Sequence, residues 1–338
     1  MLIADSVMRL EPYTPGEQPK VADVVKLNTN ENPYPPSPRC AEVLASFDLD
    51  RLRRYPDPVF TELREAIAVE NGTSAARVFV GNGSDEILAL AAKAFVNDGG
   101  AIASLDPSYS LYKTIAAIRC VRWEASAWAP APGCGASLFL LTNPNAPTGS
   151  FIEPQAVADG AAQFGGVVLV DEAYADFARD NCMALACAAA NRNTIVMRTF
   201  SKSYSLAGLR VGYCVGPEEL IEALYKVKDS YNVDAIAQAV ALAAFRDQEW
   251  MRANAAKIRE TRRRFSAELA ARGWDVPPSE SNFVFARPPA GGSAAAELFQ
   301  SLRAKNIFVR FFPGPATGDR LRITIGTDGQ MQRLLDAL

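Results

Sequence analysis

The residues best placed to do chemistry lie in Arg198-Thr-Phe-Ser-Lys-Ser-Tyr-Ser-Leu-Ala-Gly-Leu-Arg210, where Lys202 sits among hydroxyls and small residues and an arginine follows eight positions later. A lysine amine attacks a carbonyl only when deprotonated, so it needs burial or cationic neighbours that lower its pKa. Arg210, Ser201 and Ser203 supply the charge and hydroxyls that hold a phosphate, the arginine bidentately. The segment suits the anchoring of a carbonyl cofactor that carries a phosphate. The competing reading is a basic loop with a solvated lysine.

The chain contains no histidine. That excludes Ser-His-Asp and Cys-His hydrolase arrangements and His-ligated metal sites, and it removes the usual base near neutral pH. Proton transfers then fall to lysine, tyrosine or carboxylates, which favours a lysine base. The six cysteines, at 40, 120, 134, 182, 187 and 214, show neither metal-ligand spacing nor Cys-x-x-Cys, so no metal is expected and reduced thiols in the cytoplasm are. The first twenty residues lack an apolar signal-peptide core, and no apolar run approaches the ~20 residues that span a bilayer. A net charge of −3 without a basic run leaves no footprint for nucleic acid or a membrane surface, so small anions must be captured by local arginines.

These residues need a scaffold, and 338 residues with 49% hydrophobic content suit a large domain with a smaller partner. From about residue 78, short apolar runs alternate with helix-like segments, which predicts an α/β fold with a mostly parallel sheet sandwiched by helices. Runs at 78–81, 101–105, 138–141, 167–170 and 194–197 read as buried strands, Ser84 to Phe95 as a capped helix, and the Ala-, Pro- and Gly-rich stretch 124–137 as loop. Val233 to Ala271 reads as one long helix or two. After Pro277-Pro278 a smaller α/β pattern follows, with strands at 282–286, 307–310 and 321–325 and a helix near 294–305. The division expected is an arm, 1–40, contributing to the small domain and to a dimer contact, a large cofactor-binding domain, 41–245, and a small C-terminal domain, 246–338.

Open α/β sheets bind ligands beyond the carboxyl ends of their strands, so the polar residues after each apolar run matter most. Gly81-Asn-Gly-Ser-Asp-Glu86 lets the backbone approach a ligand and opens a helix whose N–H groups can hold a phosphate, or it is a plain helix cap. It is neither a Walker loop nor a Gly-x-Gly-x-x-Gly fingerprint. Thr142-Asn-Pro-Asn-Ala-Pro-Thr-Gly149 is an amide-rich turn. Asp171-Glu-Ala-Tyr174 ends a buried strand on a carboxylate that either pairs with a cation such as a protonated pyridine nitrogen or caps the next helix.

Joined by Asn30-Glu-Asn-Pro33, Arg54-Tyr-Pro-Asp57, Pro107-Ser-Tyr109 and Leu321-Arg-Ile-Thr-Ile-Gly326, these segments resemble, in order, a fold-type I pyridoxal-phosphate aminotransferase of the aspartate aminotransferase-like architecture. From about Tyr13 to the C-terminus the chain most resembles the histidinol-phosphate aminotransferases. The resemblance implies pyridoxal 5'-phosphate as cofactor, with Lys202 as its Schiff-base partner and as the proton shuttle. It implies that Asp171 pairs with the pyridinium nitrogen, that Tyr174 and an amide of the 143–146 turn bond the phenolic oxygen, and that Tyr109 stacks on the ring. Gly83, Ser84, Asp85, Ser201 and Arg210 would surround the phosphate, with Tyr55 reaching it from the other subunit of a homodimer.

By the same resemblance Arg322 would clamp the substrate α-carboxylate, where a surface strand arginine is the alternative. Arg310 and Tyr13 would face the substrate's distal group, and Asn32 would lie near the substrate. Two positions depart from the family pattern. Ala146 stands where an asparagine usually precedes Pro-Thr-Gly, which leaves Asn145 or Asn143 to replace it, and Ser230 stands where a proline precedes Tyr231-Asn232.

The implied reaction moves an amino group from histidinol phosphate to the 2-oxo acid 2-oxoglutarate in two half-reactions. Aromatic amino acid transamination and a decarboxylation like that of threonine-phosphate decarboxylases are the alternatives inside the fold. A non-catalytic sensor with an aminotransferase-like body is the alternative outside it. The presence of Lys202, Asp171, Tyr174, Arg210 and Arg322, in a chain that starts close to its first substrate-facing motif, runs against a sensor.

Overall fold

The computed structural model describes residues 2–3, 5–8, 10, 16–20, 23–128 and 135–338. Tyr13 lies outside the described residues. After a short strand β1 (Val25–Lys26), the apolar runs become a seven-stranded sheet of β2 (Val78–Gly81), β3 (Ala101–Ser104), β4 (Arg122–Ala125), β5 (Leu138–Thr142), β6 (Val167–Asp171), β7 (Thr194–Thr199) and β8 (Gly212–Val215). The spatial order is β2-β8-β7-β6-β5-β3-β4, and only β8 runs antiparallel to its neighbours.

The strands are near-continuously apolar because both faces of the sheet are covered. Successive residues point to opposite faces. Accordingly Phe139, Val168, Val170 and Val196 pack into one core, while Leu138, Leu140, Leu169, Ile195 and Met197 pack into the other. The register sets Thr142 beside Asp171 and Asp171 beside Met197, so the polar ends of β5, β6 and β7 share one edge.

Two strands of the large sheet depart from the sequence reading. β4 takes in Glu124 and Ala125, the start of the expected loop; it is an edge strand bonded only to β3, half-exposed and without an apolar run to mark it. β8 is fully buried but follows directly on the lysine segment, whose polar residues masked its start.

The stretch read as one helix or two forms two, Ala235–Phe245 and Gln248–Ala271, broken at Arg246-Asp247. The second leads to a three-stranded antiparallel sheet of β9 (Phe283–Ala286), β11 (Arg310–Phe311) and β12 (Leu321–Thr324), in the order β11-β12-β9. The expected strand at 307–310 splits: β10 (Ile307–Phe308) pairs in parallel with β1, while Arg310 and Phe311 pair with β12. Leu27 continues the link, donating to Phe308 O at 2.7 Å and accepting from Thr324 N at 3.0 Å. Residues 28–34 are thereby drawn between the two sheets. Among the described residues no helix is long and apolar enough to cross a membrane.

Candidate active site

A cavity of about 550 Å³ opens where the ends of β5, β6 and β7 face the small sheet and the segment 28–31. Its volume suits a small organic ligand. The wall brings together Ser84, Asp85, Tyr109, Asp171, Tyr174, Ser201, Lys202, Arg210, Arg310 and Arg322, drawn from segments far apart in the chain.

Asp171 terminates β6 and is 4% exposed. It accepts a hydrogen bond from the Tyr112 hydroxyl at 2.9 Å and from the Ala173 N–H at 3.1 Å. Both donors are neutral. Burial pushes its carboxyl up to about 6, against the downward pull of those two bonds. A buried carboxylate held by neutral donors is a place for a cationic ring nitrogen.

Lys202 donates from Nζ to Thr29 O at 3.1 Å. Burial lowers its pKa to about 8, helped by the Arg322 and Arg210 charges and opposed by Glu31 and Asp85. That is the environment of a nucleophile or base, not of a solvated lysine in a basic loop.

The N-terminus of the twelve-residue helix Ser84–Phe95 opens on the same cavity. Gly83, at φ +78°, precedes it, and a Cβ there would lie 2.8 Å from Arg210 Nη2. A Cβ on Gly212 would lie 2.6 Å from Ser84 N, so both positions admit only glycine without displacing the helix end or the arginine. Arg210, in the left-handed region at φ 57°, donates to Ser201 Oγ at 3.5 Å, to Ala207 O at 3.2 Å and to Asp85 Oδ2 at 3.3 Å. Helix N–H groups, a hydroxyl and a guanidinium converge there as a phosphate requires. Tyr109 flanks this cradle, its hydroxyl donating to Asp85 Oδ1 at 3.3 Å.

Neither amide expected to compensate for Ala146 lines the cavity. Asn143 is engaged by Ile152, donating to its O and accepting from its N at 2.8 Å each. Asn145 donates to Pro107 O at 3.0 Å and to Thr148 Oγ1 at 2.9 Å, and accepts from Ser108 Oγ at 2.8 Å. Both hold the turn closed, and Thr142, Ala146 and Pro147 are the residues of the segment that line the cavity.

Asn32 does not line the cavity either. Its Nδ2 donates to the carbonyls of Lys202 and Ser203, at 3.1 Å each, and its Oδ1 accepts from Tyr34 N at 3.0 Å, so it grips the lysine loop instead of facing a substrate. Tyr55 is 79% exposed and stacks on Tyr231, ring centroids 4.3 Å apart, away from this chain's cavity.

On the opposite wall Arg310 and Arg322 face each other across the β11–β12 ladder, which puts both side chains on one face of the small sheet. Both guanidiniums lie over the Phe312 ring, at 5.2 and 5.1 Å from its centroid. Arg322 also donates to Asn28 O at 2.9 Å and lies 5.4 Å from the centroid of Phe283.

Sequence reasoning passed over several contributors. Asn30 donates to the Tyr174 hydroxyl at 2.9 Å and accepts from Thr324 Oγ1 at 3.0 Å. It belongs to the same Asn30-Glu-Asn-Pro33 motif as Asn32. Tyr112 lay hidden in an apolar helix, three residues after Tyr109, and Phe312 in a loop.

The family profile for aminotransferase class I and II matches residues 22–338. The histidinol-phosphate aminotransferase of Synechocystis sp. is 43% identical, over 99% of this chain and 97% of the relative. That of Rhodopirellula baltica is 42% identical, over 96% and 92%. Among solved structures, histidinol-phosphate aminotransferase from Sinorhizobium meliloti in complex with pyridoxal-5'-phosphate superposes with a TM-score of 0.83 at 27% identity, over 93% of this chain and 89% of that one.

Proposed function

The chain belongs to the class I and II aminotransferases, and we propose that it is a pyridoxal-phosphate-dependent enzyme that moves an amino group from histidinol phosphate to 2-oxoglutarate. The observation that carries the donor assignment is the pair of arginines side by side on one face of the small sheet, across the cavity from Lys202 and Asp171. Histidinol phosphate bears its phosphate on the carbon next to the amine-bearing one, where an amino acid bears its carboxylate. Two adjacent guanidiniums suit both groups, because each can be bound bidentately and the phosphate carries the larger charge.

The residues present fit the cofactor. The N–H groups at Ser84, the Ser201 hydroxyl and Arg210 would hold the phosphate, Asp171 the ring nitrogen, Tyr109 and Tyr174 the ring's face and phenolic edge, and Lys202 the aldehyde. When bound, the cofactor supplies an electron-withdrawing ring that stabilises negative charge at the substrate α-carbon.

The protein's own groups do the rest. Lys202, with a pKa of about 8, is neutral in a useful fraction near that pH and so can take a proton from the α-carbon and return it. Thr29 O gives its amine an acceptor, and Asn32 holds the loop from which it extends. Asp171 presents a carboxylate on the end of a rigid strand. Asn30 orients the Tyr174 hydroxyl and ties it to Thr324 of the small sheet. Arg322 and Arg310 would orient the substrate by its anionic group.

The exposed Tyr55–Tyr231 stack supports a homodimer in which Tyr55 serves the partner's site. Free cysteines among the described residues accord with a reducing, cytoplasmic location. The test is a panel of amino donors mixed with the holoenzyme without acceptor, following the cofactor's visible absorbance. Histidinol phosphate should give the fastest change. A response to tyrosine or phenylalanine with none to histidinol phosphate would remove this donor and keep the class, whereas carbon dioxide release from phosphothreonine would point to decarboxylation.

A further inference from the structure

Behind the lysine loop, on the side away from the cavity, lies a connected set of polar side chains that binding and proton transfer leave unused. Glu172, next to Asp171 and 2% exposed, accepts on one oxygen from both Nε and Nη2 of Arg198, at 3.0 and 2.9 Å. Its other oxygen accepts from the Cys182 N–H. Arg198 lies on β7, four residues before Lys202, and its Nη1 stands 3.5 Å from Asp176 Oδ1. The second oxygen of Asp176 accepts from the hydroxyl of Ser203, the residue after Lys202, which is 2% exposed. The contacts run from Asp171-Glu172 through Arg198 and Asp176 to Ser203-Lys202, an open chain whose two ends are the residues proposed to hold the cofactor's ring nitrogen and its aldehyde.

Burying such a set is poor economy for stability alone, because desolvation cancels most of the attraction and apolar side chains of like volume do as well. What directed bonds add is a fixed geometry. Asp176 and Arg198 also border a second cavity of about 360 Å³, so they do not serve as close-packed filler.

We propose that Arg198, Asp176 and Ser203 are positioning residues that set Lys202 against Asp171 by tying the lysine loop to the strand end that carries the aspartate. The proposal rests on the reading of Lys202 and Asp171 as the residues that hold the cofactor's aldehyde and ring nitrogen. Without the Ser203 hydroxyl the loop keeps the bonds of Asn32 to the Lys202 and Ser203 carbonyls and of Thr199 to Ser201 N but loses its link to Asp176, and Lys202 gains freedom to reach water. The charged groups facing Lys202, namely Arg322, Arg210, Glu31 and Asp85, do not belong to the tie. Ser203→Ala removes no charge, so a change in lysine protonation in that variant reports lost burial and not a lost charged neighbour.

The experiment uses the cofactor-free protein. Lys202 is trace-labelled with acetic anhydride across a pH series and quantified by peptide mass spectrometry, beside the melting temperature. The wild-type midpoint is expected near 8. Ser203→Ala and Asp176→Ala should raise it by about one unit, roughly fivefold slower labelling at pH 8. Asp176→Asn keeps a carbonyl to accept the Ser203 hydroxyl and should leave the midpoint near the wild-type value. A purely structural role would lower the melting temperature and leave all midpoints in place. Folded Ser203→Ala with an unmoved midpoint overturns the proposal, and this variant decides even if Asp176→Ala does not fold. A wild-type protein inactive on histidinol phosphate, with the Ser203→Ala shift still present, would remove the donor assignment and leave the tie standing.

Discussion

At the carboxyl edge of the large sheet, Asp171 and Lys202 both have protonation moved toward neutrality by burial, the carboxyl up to about 6 and the amine down to about 8. Across the cavity, Arg310 and Arg322 lie on a small antiparallel sheet and share the face of Phe312. Parallel strands covered on both faces carry their last polar residues into low dielectric, where charge is costly and protons become exchangeable. Arginine holds its charge in proteins and is well suited to aromatic faces. One wall can therefore trade protons, and the other can only grip anions. Segment 28–32 joins them, with Asn28 O accepting from Arg322 and the next carbonyl, Thr29 O, accepting from Lys202.

The strongest break of this contrast is Lys202→Ala, which should cut transamination by about 10⁴-fold or more, since it removes both the covalent anchor and the base. Lys202→Arg should do as badly, because a fixed cation cannot take up a proton. Steady-state rates in both half-reactions check this. Arg322→Ala comes next, with a loss of roughly 10²- to 10³-fold in kcat/KM for donor and acceptor alike, the usual cost of removing one side of a buried charge contact. Arg322→Lys should recover only part and leave the acid limb of the pH profile in place, whereas Arg322→Ala removes a charge that lowers the Lys202 pKa and should move that limb to higher pH. An unmoved limb in Arg322→Ala would mean that its charge does not reach the lysine.

How much of this could be read beforehand follows the same division. The strand ends were legible because each polar cluster follows a near-continuous apolar run, which gave Lys202, Asp171, Ser84 and Arg210. The contacts of Asn30 were not, since Thr324 lies 294 residues away and becomes its neighbour only when β1 pairs with β10. Asn143 and Asn145 were recognisable as amides of a tight turn. Which way they point depends on Ile152 and Pro107 closing on them, and spacing does not encode that. Asn32 differs for a related reason: it lies beside Lys202, but bonds its backbone.

Asp171→Asn sharpens the comparison through stability. A carboxyl whose folded pKa is raised to about 6 contributes stability that is fully present below its unfolded value and lost as pH rises through 6. Ionised Asp171 should therefore cost the cofactor-free protein about 3 kcal/mol at pH 8, as an upper figure. The asparagine variant should melt higher than wild type at pH 8 and not at pH 4, while transamination falls. Equal melting curves at both pH values would mean that the aspartate is not held under strain. Arg310→Ala carries the smallest effect, about tenfold in kcat/KM for histidinol phosphate. With Arg322→Ala in a double-mutant cycle, a coupling of about 1 kcal/mol would support one shared anionic group, and strict additivity would separate them.

The assignment of Lys202 as the reacting group on the proton-trading wall is tested most directly by borohydride reduction of the holoenzyme, followed by peptide mass spectrometry. A pyridoxyl group fixed on the peptide containing Lys202, and absent when Lys202→Ala is treated in the same way, is the expected result. A label on another lysine, or undiminished labelling of the variant, would contradict it.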